Sequence, residues 1–440
     1  MDMQNQLKKL EDAVAALGGS MARKRLAELF DEGSFVEIDR LAKDGDKPAE
    51  AVAGFGMVNG FPVYAFAQDR EVCCGAFTKA QAAKVRKVYE LAAQNGAPVV
   101  GVFDSDGARL GDGIDAMDAI AEILTLSNNL SGVVPQIAVV AGACVGSAAL
   151  IAANADVVIT VKGADYYLMQ DEKDGHGCNG SIEAEDISAA LEKAVQLLSL
   201  LPSNNLASAP VYEADNITKT CDSIDNVLDG VADEDSMVCL SGDAACKTVL
   251  GRLGGIPCGF VTLAGDAVSG CAASRIARFV RLCDSFSLPV VTFVDAAGFK
   301  GLKGAAKLSH AFAEATTAKL TVITGRAYGP VYIAAAGKTA GADMVFAWPT
   351  AVISSIAPEA AIHILWKDRL AVMTNPTEDR QKLAAEYAET ECSPLAAAAA
   401  GYVSDVIAPA ETKAKLAATL DMLSGKRVSR LPKKHSNIQL

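Results

Sequence analysis

The sequence predicts an α/β fold built from two tandem copies of one large module, and three observations carry that expectation. Short β-rich runs alternate with helical stretches along the chain. The second half repeats the first, so that Gly142 answers to Gly325 and Gly146 to Gly329, both 183 positions apart. Between the copies, LPSNNLASAPVYEADNITKTCD (201–222) gathers Pro, Ser, Asn and Asp, and periodicity stops, which marks a linker. A repeat of this length is a duplicated module rather than a short-period solenoid.

The elements follow in order. FPVYAFAQD (61–69) reads as a strand and TKAQAAKVRKVYELAAQNG (78–96) as a helix ended by glycine. APVVGVFD (97–104) is a continuous apolar run of the kind found in a buried parallel strand. A helix is expected over 113–130, then a strand at 135–142, a helix at 147–155 and a strand at 156–161. In the second copy, GGIPCGFVTLAG (254–265), CAASRIARFVRLCDSFSLPVVTFVD (271–295) and KLTVITGRAYGPVYIAAAGKTAGADMVFA (319–347) reproduce the same succession. The apolar run 137–153 is long enough to raise the question of a membrane span. Its twin contains Arg326 and Lys338, charges that a spanning helix would hold at great cost, so both copies read as strand, tight turn and helix.

Composition narrows the function. The chain has 440 residues, 51% hydrophobic and 21% charged, and a net charge of −13. That balance argues against nucleic-acid binding. A short basic tail (Lys426, Arg427, Arg430, Lys433, Lys434) reads as a solvated end or an interface. Eleven scattered cysteines without framework spacing predict reduced thiols in a cytoplasmic protein. Four separated histidines give no metal-ligand spacing. His176 and Cys178 in GHGCNG come nearest and lack a second ligand pair, so no metal is expected. The N-terminal MDMQNQLKKLEDAVAAL is an amphipathic helix pattern without the features of a signal peptide.

The chemistry-bearing stretch is GACVGSAAL (142–150). At a strand–glycine–helix turn the first helical N–H groups lack partners, the helix dipole adds partial positive charge, and glycine admits a ligand close to the backbone. Gly146 and Ser147 are therefore candidate oxyanion-hole donors, against the plainer alternative that small residues merely allow tight packing there. The sequence is not GxSxG, and no histidine stands with an acidic partner. DSDGAR (104–109) also follows a strand, and its acidic pair reads as turn-and-cap residues rather than metal ligands.

ARKRLAELFDEGSFVEID (22–39), GVFDSDGARLGDG (101–113), VVPQIAVVAGACVGSAAL (133–150), LPSNN (201–205), RFVRLCDSFSLPVVTFVDAAGF (278–299), AYGPVY (327–332), FAWPTA (346–351), AAAGYVSDVIAP (398–409) and LPKKHSNIQL (431–440) lie in order. In these blocks, spanning nearly the whole chain, the sequence resembles the carboxyltransferase subunits of biotin-dependent acyl-CoA carboxylases and of sodium-pumping acyl-CoA decarboxylases. The resemblance implies two tandem crotonase-like ββα-spiral domains, residues 1–215 on the acyl-CoA side and 216–440 on the biotin side. It implies two facing oxyanion holes at a dimer interface, with no side-chain base. Gly146 and Ser147 would hold the thioester oxygen, and Gly329 and Val331 the biotin ureido oxygen. Arg23, Asp106, Gly107, Ala108, Ala143, Cys144, Tyr328 and Ile333 would line the substrate sites.

The same resemblance implies that the chain acts with biotin on a separate carrier protein. A biotin carboxylase or a membrane decarboxylase subunit would be a further partner. It also implies a homo-oligomer, dimer or hexamer, in the cytoplasm or held at a membrane through partner subunits. Three departures stand out. YGGAY of the family is YGPVY here, so Pro330 has no N–H where a donor is expected. DSGGAR is DSDGAR, which places Asp106 near the acyl pocket. The stretch after Tyr167 is shortened to QDEKDGHGCNGSI. The competing expectations are the decarboxylase direction and a scaffold subunit without chemistry.

Overall fold

The computed structural model describes the chain apart from residues 1–2, 16, 18, 46, 50, 170–180, 215–218, 243–244, 373–375 and 438–440. The chain divides into two compact units, Met1–Ser208 and Ala209–Leu440. The sequence-based boundary lies a few residues later. Residues 209–214 stay with the second unit because Tyr212 pairs its N–H with Gly255 O at 3.0 Å and lies under the Arg252 guanidinium.

The first unit is one eight-stranded sheet clothed by helices. Its strands are β1 (Val36–Ile38), β2 (Ala51–Val58), β3 (Phe61–Gln68), β4 (Val99–Ser105), β5 (Gln136–Val145), β6 (Val157–Val161), β7 (Asp165–Tyr167) and β8 (Ser181–Ala184). They lie in the order β1-β2-β3-β4-β5-β6-β8, with β7 also on β5. The pairs β1-β2 and β2-β3 are antiparallel and the others parallel. The second unit repeats this with β9 (Val238–Gly242), β10 (Lys247–Leu253), β11 (Ile256–Gly265), β12 (Val290–Ala296), β13 (Lys319–Tyr328), β14 (Met344–Ala347), β15 (Val352–Ser354) and β16 (Asp405–Val406). Order and strand sense match those of the first unit throughout.

Local sequence explains the helices. Thr78 accepts the Gln81 N–H at the start of the helix Lys79–Asn95, and Gly96 ends it at φ 60°. Ser269 caps the helix Gly270–Ser285 in the same way. Apolar faces of these helices close over the sheets. The first core holds Phe66, Phe77, Phe103, Val85 and Ile123. The second holds Phe260, Phe293, Leu320 and Trp348, whose buried Nε1–H donates to Thr412 Oγ1 at 2.9 Å.

The duplicated strand continues past the end expected from the sequence. β5 runs three residues beyond 142, and the reason is a bulge. Phe103 faces Val140 and Ser105 faces Cys144, so three residues of β5 oppose Asp104 alone. In the second unit Val294 faces Ile323 and Ala296 faces Ala327, so three residues oppose Asp295. Each strand changes partner at the bulge, β5 from β6 to β7 and β13 from β14 to β15. A Cβ on Gly142 would stand 2.5 Å from Asp104 Oδ1, and one on Gly325 2.5 Å from Asp295 Cγ. Those two glycines are in the apolar run because a carboxylate occupies the space.

The copies differ after the turn. The first continues as the α-helix Ser147–Ala153, the second as a π-turn Tyr332–Ala336 closed by Gly337 N–H to Tyr332 O at 2.9 Å. The basic tail serves the fold. Arg430 donates to Ala315 O and Lys426 to Thr317 O and Asp343, where buried Lys319 also donates to Phe312 O and Ala315 O. Among the described residues nine cysteines are free thiols, six of them buried, whereas Cys271 is disulfide-bonded, which corrects the all-thiol expectation. His176 and Cys178 lie outside the described residues. No helix among the described residues is long and apolar enough to cross a membrane.

Two expectations follow. Gly142→Ala and Gly325→Ala are each expected to cost about 1–3 kcal/mol by overpacking, measured by urea unfolding. Gly19→Ala, with open space around it, should shift stability by less than about 0.5 kcal/mol. Burial, with Lys426 and Arg430 nearby, pushes Lys319 from 10.5 down to about 8. The unfolded chain therefore binds this proton more tightly between those values. Wild type should gain unfolding free energy relative to Lys319→Met as pH rises from 8 towards 10.5. Below pH 8 the difference should be constant.

Candidate functional site

Each unit brings two loops together beside its bulge. In the first, β5 ends at Gly146, which has φ 58° and ψ −125°, a conformation open to glycine and not to side-chain-bearing residues. Its N–H donates to Tyr167 O at 3.1 Å. The donor role expected of Gly146 is thus already spent on β7, and the glycine serves to turn the chain. Ser147 is the first helical residue, and among the described residues its N–H has no backbone partner. The loop 106–109 lies against this turn: a Cβ on Gly107 would stand 3.1 Å from Val145 O and 3.9 Å from Ser147 N. Phe77 N–H donates to Gly107 O at 2.8 Å and Arg109 N–H to Phe77 O at 3.0 Å. Between them the Ala108 N–H is left without a backbone partner among the described residues. Ser147 and Ala108 thus offer two neighbouring free donors. The sequence pointed to Ala108 only as a lining residue, since its pairing with Phe77 is a tertiary contact.

The other candidates of this unit fall into supporting places. Ala143 N–H donates to Asp104 Oδ1 at 3.3 Å. Cys144 is fully buried in the core, and that burial, with Asp104 adding, pushes its thiol up, so its side chain is packing rather than substrate surface. Arg23 is held by Glu37 through two bonds of 3.0 and 2.9 Å and also donates to Leu17 O, so its guanidinium ties the N-terminal segment to β1. Asp106 pairs with Arg70 at 2.9 Å, which neutralises the extra charge in DSDGAR. Arg25 was not singled out from the sequence; its Nη2 reaches Asp104 Oδ2 at 2.9 Å from the helix Met21–Leu29.

The second unit repeats the layout with altered donors. Gly329, at φ 42°, gives its N–H to Ser354 O at 2.8 Å, so here too the glycine turns the chain and does not donate outward. Pro330 occupies the first helical position, where a missing N–H costs the helix nothing. The next N–H groups, of Val331 and Tyr332, have no backbone partner among the described residues. The Val331 side chain is fully buried, leaving its backbone as the available part. Val268 N–H donates to Gly298 O at 2.9 Å as Phe77 does to Gly107, so Phe299 stands where Ala108 stands in the first unit. Phe299 was not singled out from the sequence. Tyr328 and Tyr332 are partly buried, which pushes both phenols up, and Ile333 is 69% exposed beside them. Among the described residues no three His, Cys, Asp or Glu side chains gather to hold a metal.

A carboxyl transferase domain model matches residues 13–169 and 176–438. Methylmalonyl-CoA decarboxylase subunit alpha of Veillonella parvula is 34% identical over 489 aligned residues, covering 97% of this chain and 94% of the relative. The propionyl-CoA carboxylase beta chain of Saccharopolyspora erythraea is 35% identical, covering 98% and 93%. A solved hexameric transcarboxylase 12S with hydrolysed methylmalonyl-coenzyme A bound superposes with a TM-score of 0.92 at 30% identity, covering 100% of this chain and 99% of that one. With two tandem crotonase-like units matched along nearly its whole length, the chain belongs to the carboxyl transferase family.

Proposed function

We propose that the chain is a carboxyltransferase subunit that moves a carboxyl group between biotin on a separate carrier protein and a short-chain acyl-CoA. The observation that carries this reading is the pair of outward N–H donors, Ser147 and Ala108, beside a glycine-only turn in a chain of this family. Donors fixed by a strand end and a helix start are already oriented where negative charge develops on a thioester oxygen during α-proton loss. The second unit fits biotin: Val331 N–H, with Phe299 as its neighbour by analogy with Ala108, would face the ureido oxygen. When bound, biotin supplies the carboxyl carrier and the nitrogen that exchanges it. The protein's part is to bind, orient and exclude water at the two turns. Gly107 and Ala143 hold the first turn, with Cys144 packed beneath it, Asp106 balanced by Arg70 and Arg23 bracing β1, and Tyr328 and Ile333 border the second.

We assign residues 1–208 to the acyl-CoA side and 209–440 to the biotin side. The relatives named as carboxylase and decarboxylase components favour both directions of the same transfer equally. A biotin carboxylase or a membrane decarboxylase subunit would decide which direction runs. A homo-oligomer is part of the proposal, supported by the hexameric relative.

Ser147→Pro tests the first turn with little harm to the fold. Proline is welcome at the first helical position, as Pro330 shows in the other copy, yet it deletes the donor. Transfer between methylmalonyl-CoA and free biotin is expected to fall on the order of 10²–10³-fold, with thermal unfolding nearly unchanged. Full activity in the folded variant would refute the assignment. Pro330→Gly restores a backbone donor beside Val331, and its rate with free biotin is expected to rise about tenfold, less than a full donor's worth. The acyl-CoA KM should stay constant, and an unchanged biotin-dependent rate would remove Pro330 from the biotin turn.

A further inference from the structure

We propose that Arg25 is a positioning residue: by pairing with Asp104 beneath the bulge of β5, it holds the course of the strand that aims the Ser147 N–H. This rests on the carboxyl-transfer reading above. Asp104 is 7% exposed at its side chain and Arg25 12%. Asp104 Oδ2 takes Arg25 Nη2 at 2.9 Å, and Oδ1 takes the Ala143 N–H at 3.3 Å, with Arg70 Nη1 3.6 Å away. The Asp104 peptide is itself held, its N–H donating to the buried Gln68 Oε1 at 3.2 Å. Gly142, lacking a Cβ, makes room for the carboxylate where it stands.

Arg25 is committed to this contact. Among the described residues its Nε and Nη1 are buried without a partner. A guanidinium that gives up hydration on two nitrogens is retained for what the third does. The second unit builds the same support locally. Asp295 accepts the backbone N–H of Arg326 at 2.9 Å and its Nε at 2.8 Å, so the arginine comes from the bulge itself. In the first unit it comes from the helix Met21–Leu29, 79 residues away in sequence. The first turn is therefore completed only when that helix docks, and the second needs no such helper.

The charged and titratable groups around Asp104 are Arg25, Arg70, Cys144 and, through Arg70, Asp106. Removing Arg25 takes away the charge-assisted bond on Oδ2 and leaves the carboxylate held by the Ala143 N–H, with Arg70 farther off, so the bulge relaxes.

The test is transfer between methylmalonyl-CoA and free biotin, with amide exchange of residues 141–147 measured alongside. Arg25→Met is expected to lower kcat about tenfold, less than loss of a whole donor. Both KM values should be unchanged, and Arg25→Lys should restore most of the rate. Exchange at 141–147 should quicken in Arg25→Met. Arg25→Met/Asp104→Asn, which removes both charges without leaving one buried alone, should keep a low rate. A kcat equal to wild type together with unchanged exchange would overturn the proposal, whichever variant folds better. If wild type itself transfers no carboxyl group, the carboxyl-transfer reading fails, and the exchange result alone still decides whether Arg25 holds the strand.

Discussion

A carboxylate lodged under a strand is the constraint around which each unit is organised. A parallel strand that ran straight would keep one neighbour along its length. Here Asp104 and Asp295 fill a gap three residues wide, satisfy an N–H that the ladder abandons, and let the strand turn towards a second partner. The bend costs ladder pairing, and charge-assisted bonds offset that cost. It also requires glycine at 142 and 325, since any side chain there would meet the carboxylate. The glycines next in line, 146 and 329, take positive φ and send their own N–H groups back into the sheet. What remains pointing outward is the start of the following helix, which is where the free donors are.

Duplication gave two such devices, and they have diverged in instructive ways. The first turn starts a regular α-helix with a serine, the second a π-turn with a proline. The first pairs its buried aspartate with arginines from elsewhere, the second its half-buried one with the arginine inside its own bulge. Sheet order, strand sense and the bulge itself are unchanged between them. The geometry that bends the strand is thus the conserved element of the repeat, while the atoms offered to a ligand are the variable one.

Charge placement around the first turn follows the same logic. Arg23 and Arg25 are two residues apart on one helix and do unrelated work, one bracing β1 through Glu37 and the other reaching Asp104. Asp106, an added negative charge at an exposed loop, is balanced by Arg70. The basic tail, near the end of an acidic chain, reaches the Ala315 carbonyl and the Glu314 carboxylate at the end of the helix Leu302–Glu314. These are structural duties, and they explain why the charges cluster without forming a surface for a polyanion.

The sequence by itself determined the α/β class, the duplication, most strand and helix limits and the family. Those properties are local or repeat along the chain: apolar runs, caps at Thr78 and Ser269, stop signals such as Gly96, and a fixed offset between copies. It also marked GACVGSAAL and YGPVY as turns of interest. It could not say which N–H groups at those turns are free, because that depends on partners 21 and 25 residues away, Tyr167 for Gly146 and Ser354 for Gly329. Nor could it find Arg25, the pairing of Ala108 with Phe77, or the equivalence of Phe299, each set by segments that meet only in the folded unit. A backbone donor has no side chain to betray it in sequence. Only the tertiary structure, by using up some donors and leaving others open, decided which atoms each turn presents.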